Sequence, residues 1–348
     1  MDTRISRLLM AAALVSALVL TIAPAAHAGK GELIFKIDDP RGDDHGDGHL
    51  LYPTRTELGP GDLDLLAFTA RRVEGGTQFE AELANPIRVA TREAIDGLGT
   101  SLSSVARYGF YTFNIDVYVD MDHVPGSGGI STLPGRKAVI ASENAWDRAI
   151  VLTPRPHEAR TALADMMLKA LNKELRAGEY GQEEVEGEAR ALKQRLPDDL
   201  ERRIFFPNQI RVRANKVSFF VPDSFFGKPV EATWSYVVVV SGADLIQSLD
   251  ISAAFGLADT RQDHLMLLPI SPGSWKDRFG GGREYDEVLQ PPLVDIVVPE
   301  GQRQERVLSD FSSRDERPVV LRGVVPAQKP VVQKGTAVEK GPALGVGR

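Results

Sequence analysis

Cysteine is missing from all 348 residues. Its absence excludes disulfides, thiolate nucleophiles and every cysteine-ligated metal. An excess of basic charge is also missing. The formal net charge is −7, and Lys and Arg form no continuous stripe. Binding to nucleic acid rests on neutralised phosphates, so no nucleic-acid partner is expected. The chain has no Gly-x-Ser-x-Gly elbow. Its run Gly280-Gly281-Gly282 is not followed by Lys-Ser/Thr. Neither a hydrolase serine nor a P-loop has local support. Acids are abundant, but abundance does not define the spaced carboxylate pair of a glycosidase. No catalytic residue is assigned, and the chain reads as a non-enzyme.

What is present begins with an export signal. Arg4 and Arg7 precede the apolar run Leu8–Ile22, and Ala26-His27-Ala28 forms a small-x-small cleavage site before Gly29. The apolar run is short for a span, which needs about 20 residues. Residues 1–28 therefore read as a cleaved signal peptide, with a periplasmic or secreted bacterial location. No cysteine follows the site, so a lipid anchor there is not expected, and no transmembrane segment is expected after cleavage. An exported chain without disulfides needs a large core, a bound metal or both. An apolar content of 43% allows the core.

The period-2 pattern recurs along the chain. Strands are expected at Glu32–Ile37, Asp62–Arg72, Thr77–Leu83, Phe110–Val119, Lys137–Ala141, Arg148–Thr153, Ile210–Ala214, Lys216–Pro222 and Thr233–Ser241. Edge strands are expected at Leu293–Val298 and Val319–Val325. Glu74-Gly75-Gly76 and Asn215 mark hairpin turns, and residues 90–104 read as a loop. The period changes at Glu158–Arg176, where Leu163, Met166, Met167, Ala170, Leu171 and Leu175 recur at helical spacing. Glu183–Arg195 is charged and helix-prone, with Pro197 as its stop. Residues 156–202 thus form a helical insertion, expected to pack as a lid on a sheet edge. From residue 326 to 348 the composition shifts to Pro, Lys, Gly and Val without period, as in a disordered tail. The class expected is all-β: an immunoglobulin/DOMON-like antiparallel β-sandwich spanning 29–325 with that insertion.

The densest chemistry lies after the first strand. Asp38, Asp39, Asp43, Asp44 and Asp47 fall within ten residues, among Gly42, Gly46 and Gly48. Ca²⁺ takes six to eight oxygens from carboxylates, carbonyls and water. So many like charges in one short loop repel unless something neutralises them. A Ca²⁺ site is the reading, completed by a distant acid such as Asp62, Asp64 or Asp120; a solvated acidic turn is the alternative. The loop is no EF-hand, because Thr54 stands where the bidentate Glu belongs. His45 and His49 would share a face for zinc only in a helix, which Gly46 and Gly48 oppose. A second candidate set is aromatic. Trp275, Tyr52, Trp146 and Phe279 lie in or beside expected loops, where rings stack on sugar faces. Trp275 leads, because Gly273 and Gly280–Gly282 flank it. Trp234 reads as core. Met121 and His123 as haem ligands are disfavoured by their acidic, loop-edge setting.

Several blocks resemble one known family. Asp39-Pro40, Gly42-Asp43-Asp44, Gly46, Gly48, Tyr52-Pro53-Thr54 and Asp62-Leu63 are similar to the start of the glucodextranase C-terminal-type domain. Val117-Tyr118-Val119-Asp120, Trp146-Asp147-Arg148-Ala149, Phe220-Val221-Pro222 with Phe226-Gly227, Phe279-Gly280-Gly281-Gly282, Gln302 and Leu308-Ser309 follow in order. The acidic-Pro sequence expected after the Phe279 block is replaced by Pro291-Pro292-Leu293-Val294-Asp295. The resemblance implies an exported, non-catalytic β-sandwich related to DOMON and calcium-containing carbohydrate-binding modules. In that family it often accompanies glycoside hydrolases or surface-layer proteins; here neither is expected ahead of it. The expected partner is a polysaccharide or oligosaccharide. The alternative is an envelope structural or protein-interaction module of the same fold, with an envelope protein as partner.

Overall fold

The structure is a computed structural model that describes residues 31–92, 101–178, 182–243, 267–283 and 289–326. The expected signal peptide, and the expected tail beyond Pro326, lie outside these residues. Antiparallel sheet dominates. Strands β1 (Glu32–Asp38), β2 (Leu65–Val73), β3 (Gly76–Leu83), β8 (Ile210–Arg213) and β9 (Lys216–Pro222) form a five-stranded sheet in the order β1-β2-β3-β9-β8. Val73 pairs with Gly76, and Gly75 has φ +75°, so Glu74-Gly75 is the two-residue turn of the β2–β3 hairpin. Ala214-Asn215 closes the β8–β9 hairpin, where Arg213 pairs with Lys216.

A second five-stranded sheet runs β11-β10-β4-β6-β7. Its strands are β4 (Phe113–Asp120), β6 (Arg148–Leu152), β7 (Ile204–Phe205), β10 (Ser235–Gly242) and β11 (Asp295–Ile296). All its pairs are antiparallel except β6–β7. Every residue of β4 and β10 is buried. Alternation explains this, because each face of these strands has its own cover. Phe113, Ile115, Val117 and Val119 join Phe35, Phe68, Phe79 and Phe219 of the first sheet in one apolar cluster. The Phe35 and Tyr236 rings lie 4.6 Å apart across it. The two sheets therefore face each other over a common core, and Trp234 sits inside it.

On the opposite face of β4 and β10, Tyr118, Trp146, Val237 and Val239 belong to a second apolar cluster with Ala138, Ile140, Val319 and Leu321. Helices α2 (Pro156–Ala177) and α3 (Gln182–Arg203) add Leu163, Leu196 and Leu200 to it, and α3 meets the sheet at β6 and β7. The expected stop at Pro197 is corrected: α3 continues through it to Arg203. A proline inside a helix costs about 3 kcal/mol. Burying Leu192, Leu196 and Leu200 at four-residue spacing returns about 1.5–3 kcal/mol for each side chain, so packing outweighs the lost bond. The expected loop at 90–104 includes one short helix, α1 (Leu102–Val105), capped by Ser101; its residues 93–100 lie outside the described ones. The edge strands are shorter than the alternation suggested, at Asp295–Ile296 and β12 (Val319–Leu321), the latter parallel to β5 (Ala138–Ile140). No helix among the described residues is long and apolar enough to cross a membrane.

Candidate functional site

The acidic loop leaves β1 at Asp38 and folds back on β11. Gly46 donates its N–H to the Val294 carbonyl at 2.9 Å and has φ +56°. A Cβ at this position would lie 2.8 Å from the Leu293 carbonyl oxygen, so only glycine lets the loop approach so closely. Gln304, on helix α4 (Gln304–Leu308), fastens the same junction. Its amide donates to the carbonyls of Asp43 and Val294, and its Oε1 accepts the Ile296 N–H.

This folding divides the candidate acids into two groups. Four of them are engaged elsewhere. Asp38 is exposed and paired with Lys36. Asp44 is buried, and its Oδ2 accepts the Tyr52 hydroxyl and the Gly61 N–H. Asp47 accepts the His49 N–H and pairs with Arg283 at 3.1 Å. Asp62 accepts the Gly59 N–H, the Asn85 amide and Arg88. These four hold the loop and its neighbours in shape.

Asp39 and Asp43 turn inward and meet Asp295 of β11. One oxygen from each of the three lies within 4.8 Å of the others. Two oxygens around one Ca²⁺, each at about 2.3–2.6 Å, can be at most about 5 Å apart, so the spacing fits a single ion. Asp295 is completely buried, and its Oδ2 accepts the Leu65 N–H at 2.6 Å. Asp39 Oδ2, Asp43 Oδ1 and Asp295 Oδ1 are buried without a hydrogen-bond partner, as is Oδ1 of neighbouring Asp64. Among the described residues no ion pair reaches Asp39, Asp43 or Asp295. Burial, then the Asp43 charge, raises the Asp39 pKa to about 8. Burial raises Asp43 to about 6. Asp295 is driven well above the carboxylate range by burial and by Asp39 and Asp43. A cation beside these carboxyls would favour their ionised form. The donor set therefore suits a hard divalent ion.

Asp295 was absent from the candidates drawn from sequence. Its signal was a lone carboxylate in the apolar strand Leu293–Val298, at the place where the Pro291-Pro292 segment departs from the expected motif.

The aromatic candidates separate as well. Phe279 is fully buried and meets Tyr52 edge-on at 5.6 Å. Tyr52 is half-buried, and burial and the Asp44 carboxylate raise its hydroxyl pKa. Trp146 is buried, its indole N–H donating to the Ser131 carbonyl at 2.9 Å, with Arg203 over the ring at 4.6 Å. Phe279 and Trp146 are thus packed inside protein, and Tyr52 is partly covered. Trp275 differs, at 66% exposed. It sits on a tight turn where it bridges Arg278, and its carbonyl accepts the Thr54 N–H at 3.1 Å. Gly280 and Leu51 exchange N–H···O bonds at 2.8 and 3.0 Å. A Cβ at Gly281, where φ is +84°, would lie 2.0 Å from the His49 carbonyl oxygen. The Trp275 turn is thus docked on the far end of the same acidic loop that reaches Asp295.

A family model described as the SLH-like C-terminal binding module of glucodextranase matches residues 34–323. The chain belongs to this family. The match runs from β1 past β12, and so takes in both sheets, the acidic loop, the Trp275 turn and Asp295. The family is a binding module and not a catalytic domain, which gives the chain a binding role. No curated protein matches the chain.

Proposed function

We propose that this glucodextranase-type module is an exported, non-catalytic carbohydrate-binding protein stabilised by Ca²⁺. Its two facing sheets would form an immunoglobulin/DOMON-like β-sandwich. The observation that carries the sugar reading is the exposed Trp275 indole on a turn fixed to the acidic loop. A large flat ring with one open face stacks on a pyranose, and a rigid support limits the entropy lost on binding. Asp39, Asp43 and Asp295, with Asp64 beside them, would hold the ion. The ion would supply charge neutralisation and stiffness to the loop. Export is supported by the N-terminal signal pattern.

The test is a glycan array with the chain from Gly29 onward, repeated with Trp275→Ala. Binding that disappears in the variant supports the reading. Binding that survives moves the site elsewhere, first to a cleft of about 560 Å³ lined by Phe205, Phe206, Phe220, Phe225, Asn208 and Gln209. No glycan signal, with an envelope protein co-purifying, supports a protein-interaction module.

A further inference from the structure

We infer that the protein has a second divalent-cation site, formed by Asp120, Asp122 and Asp147 where β4 leaves the sheet beside the start of β6. One oxygen from each of these carboxylates lies within 4.8 Å of the others. The cluster is separate from the first. Asp120 pairs with Ser235 at one end of β10, whereas Asp295 pairs with Val240 towards the other. Five residues of strand put the two groups about 16 Å apart.

Proximity alone would not make this a site. The deciding feature is Asp120, which is 2% exposed. Its Oδ1 accepts the N–H groups of His123 and Asp122 at 2.8 and 3.3 Å. Its Oδ2 is buried with no hydrogen-bond partner. A buried carboxylate oxygen left in this state loses its hydration without compensation. His123 Nε2 lies 2.6 Å from the Thr233 carbonyl, which only accepts, so Nε2 carries a hydrogen. Its Nδ1 lies 3.5 Å from Asp120 Oδ2, beyond a normal hydrogen bond. A cation beside Asp120 Oδ2 supplies the missing partner.

The other two acids are already oriented. Asp122 Oδ1 accepts the Val124 N–H at 2.8 Å and the Ser127 hydroxyl at 3.1 Å. Asp147 Oδ2 accepts the Met121 N–H at 2.8 Å. Burial and the Asp122 and Asp120 charges raise the Asp147 pKa against that bond. Arg148 directs its N–H groups to the carbonyls of Phe225 and Asp147 and does not bridge the carboxylates. Three carboxylates with one exposed member suit a hard ion of the Ca²⁺ class that keeps some water. Bound there, it would tie the β4–β5 connection to the first residue before β6.

Calorimetric titration of the chelator-stripped chain with calcium chloride tests the site. Two equivalents are expected in the wild type. Asp122→Asn with Asp147→Asn should remove one, and Asp43→Asn with Asp295→Asn should remove the other. Asp122→Asn alone changes an exposed side chain, so its melting midpoint in chelator should match the wild type. Its affinity at this site should fall by about tenfold or more, since even residues behind a ligand alter metal affinity by that much. If only one equivalent binds and the Asp122/Asp147 pair abolishes it, this site stands and the one at Asp295 fails. If the wild type binds no calcium, or if the Asp122/Asp147 pair leaves the stoichiometry unchanged, the second site is overturned.

Discussion

Asp116 and Asp295 flank the same strand, β10, and are about equally buried, at 1% and 0% exposure. Their surroundings are opposite. Asp116 meets the buried Arg136 in a two-pronged pair, at 2.6 and 3.1 Å, and a third guanidinium N–H reaches the Pro134 carbonyl. The Asp116 carboxylate and hydrogen bond raise the Arg136 pKa despite burial, so the guanidinium stays charged. Asp295 has a single backbone donor and two further acids for company. The chain can neutralise a buried carboxylate with its own residues, and beside β4 it does. At Asp295 it leaves that work to a proton or to an ion from outside. A structural ion pair and a ligand site thus differ in whether the fold supplies the counter-charge.

Breaking the self-sufficient side should have the largest effect. Arg136→Met strands the Asp116 charge and is expected to cost about 3–5 kcal/mol, read from urea unfolding. Adding Asp116→Leu should recover most of that loss, because an apolar pair of similar volume often replaces a buried ion pair.

On the other side the sign should depend on calcium. Calcium at a hundred times its Kd adds about 2.7 kcal/mol, a rise of a few degrees in melting midpoint for a domain of this size. Asp43→Asn/Asp295→Asn should lose that rise. In chelator at pH 8 and above, where the cluster gives up its protons, Asp295→Asn should melt higher than the wild type, since the amide oxygen still accepts the Leu65 N–H and carries no charge. A lower midpoint in chelator would mean that the cluster is stable without an ion.

The pH dependence sharpens the same contrast. Folded Asp39 holds its proton to about 8, against 3.8 for the free group, and folded Asp43 to about 6. The folded state therefore binds more protons than the unfolded chain between these limits. This cluster's contribution to metal-free stability is complete below about pH 4 and is lost as pH rises towards 8. Saturating calcium should remove the decline, because the ion takes the place of the protons. Melting at intervals from pH 4 to 8, with and without chelator, measures it. A metal-free midpoint that climbed with pH because of these residues would reverse the assignment.

The smallest effects on stability belong to the exposed candidates. Trp275→Ala and Asp38→Asn should each stay within about 0.5 kcal/mol of wild type. Only the tryptophan change should abolish glycan binding.

The strands were largely legible because alternation is a local property. Phe113, Ile115, Val117 and Val119 announce their face within seven residues. Hairpins were legible for the same reason, through Glu74-Gly75 and Asn215. Pro197 was misjudged because its tolerance depends on Leu196 and Leu200 meeting a sheet formed elsewhere in the chain. The aromatic set shows the same limit. Local context put Trp146, Tyr52 and Phe279 beside loops, while only packing reveals that Phe279 and Trp146 are buried and that Trp275 is largely exposed.

By itself, then, the sequence determined the antiparallel, mostly-β class, the helical insertion, the family and the acid-rich loop, because composition, period and short motifs act between neighbours. The tertiary structure decided which acids face one another. Asp295 lies 230 positions from the Leu65 N–H it accepts. It is brought to Asp39 and Asp43 by sheet pairing and by the Gln304 clasp, and no local pattern encodes that meeting. Burial is a property of the assembled fold, and burial turns those three aspartates from solvated charges into carboxyls whose pKa values are raised.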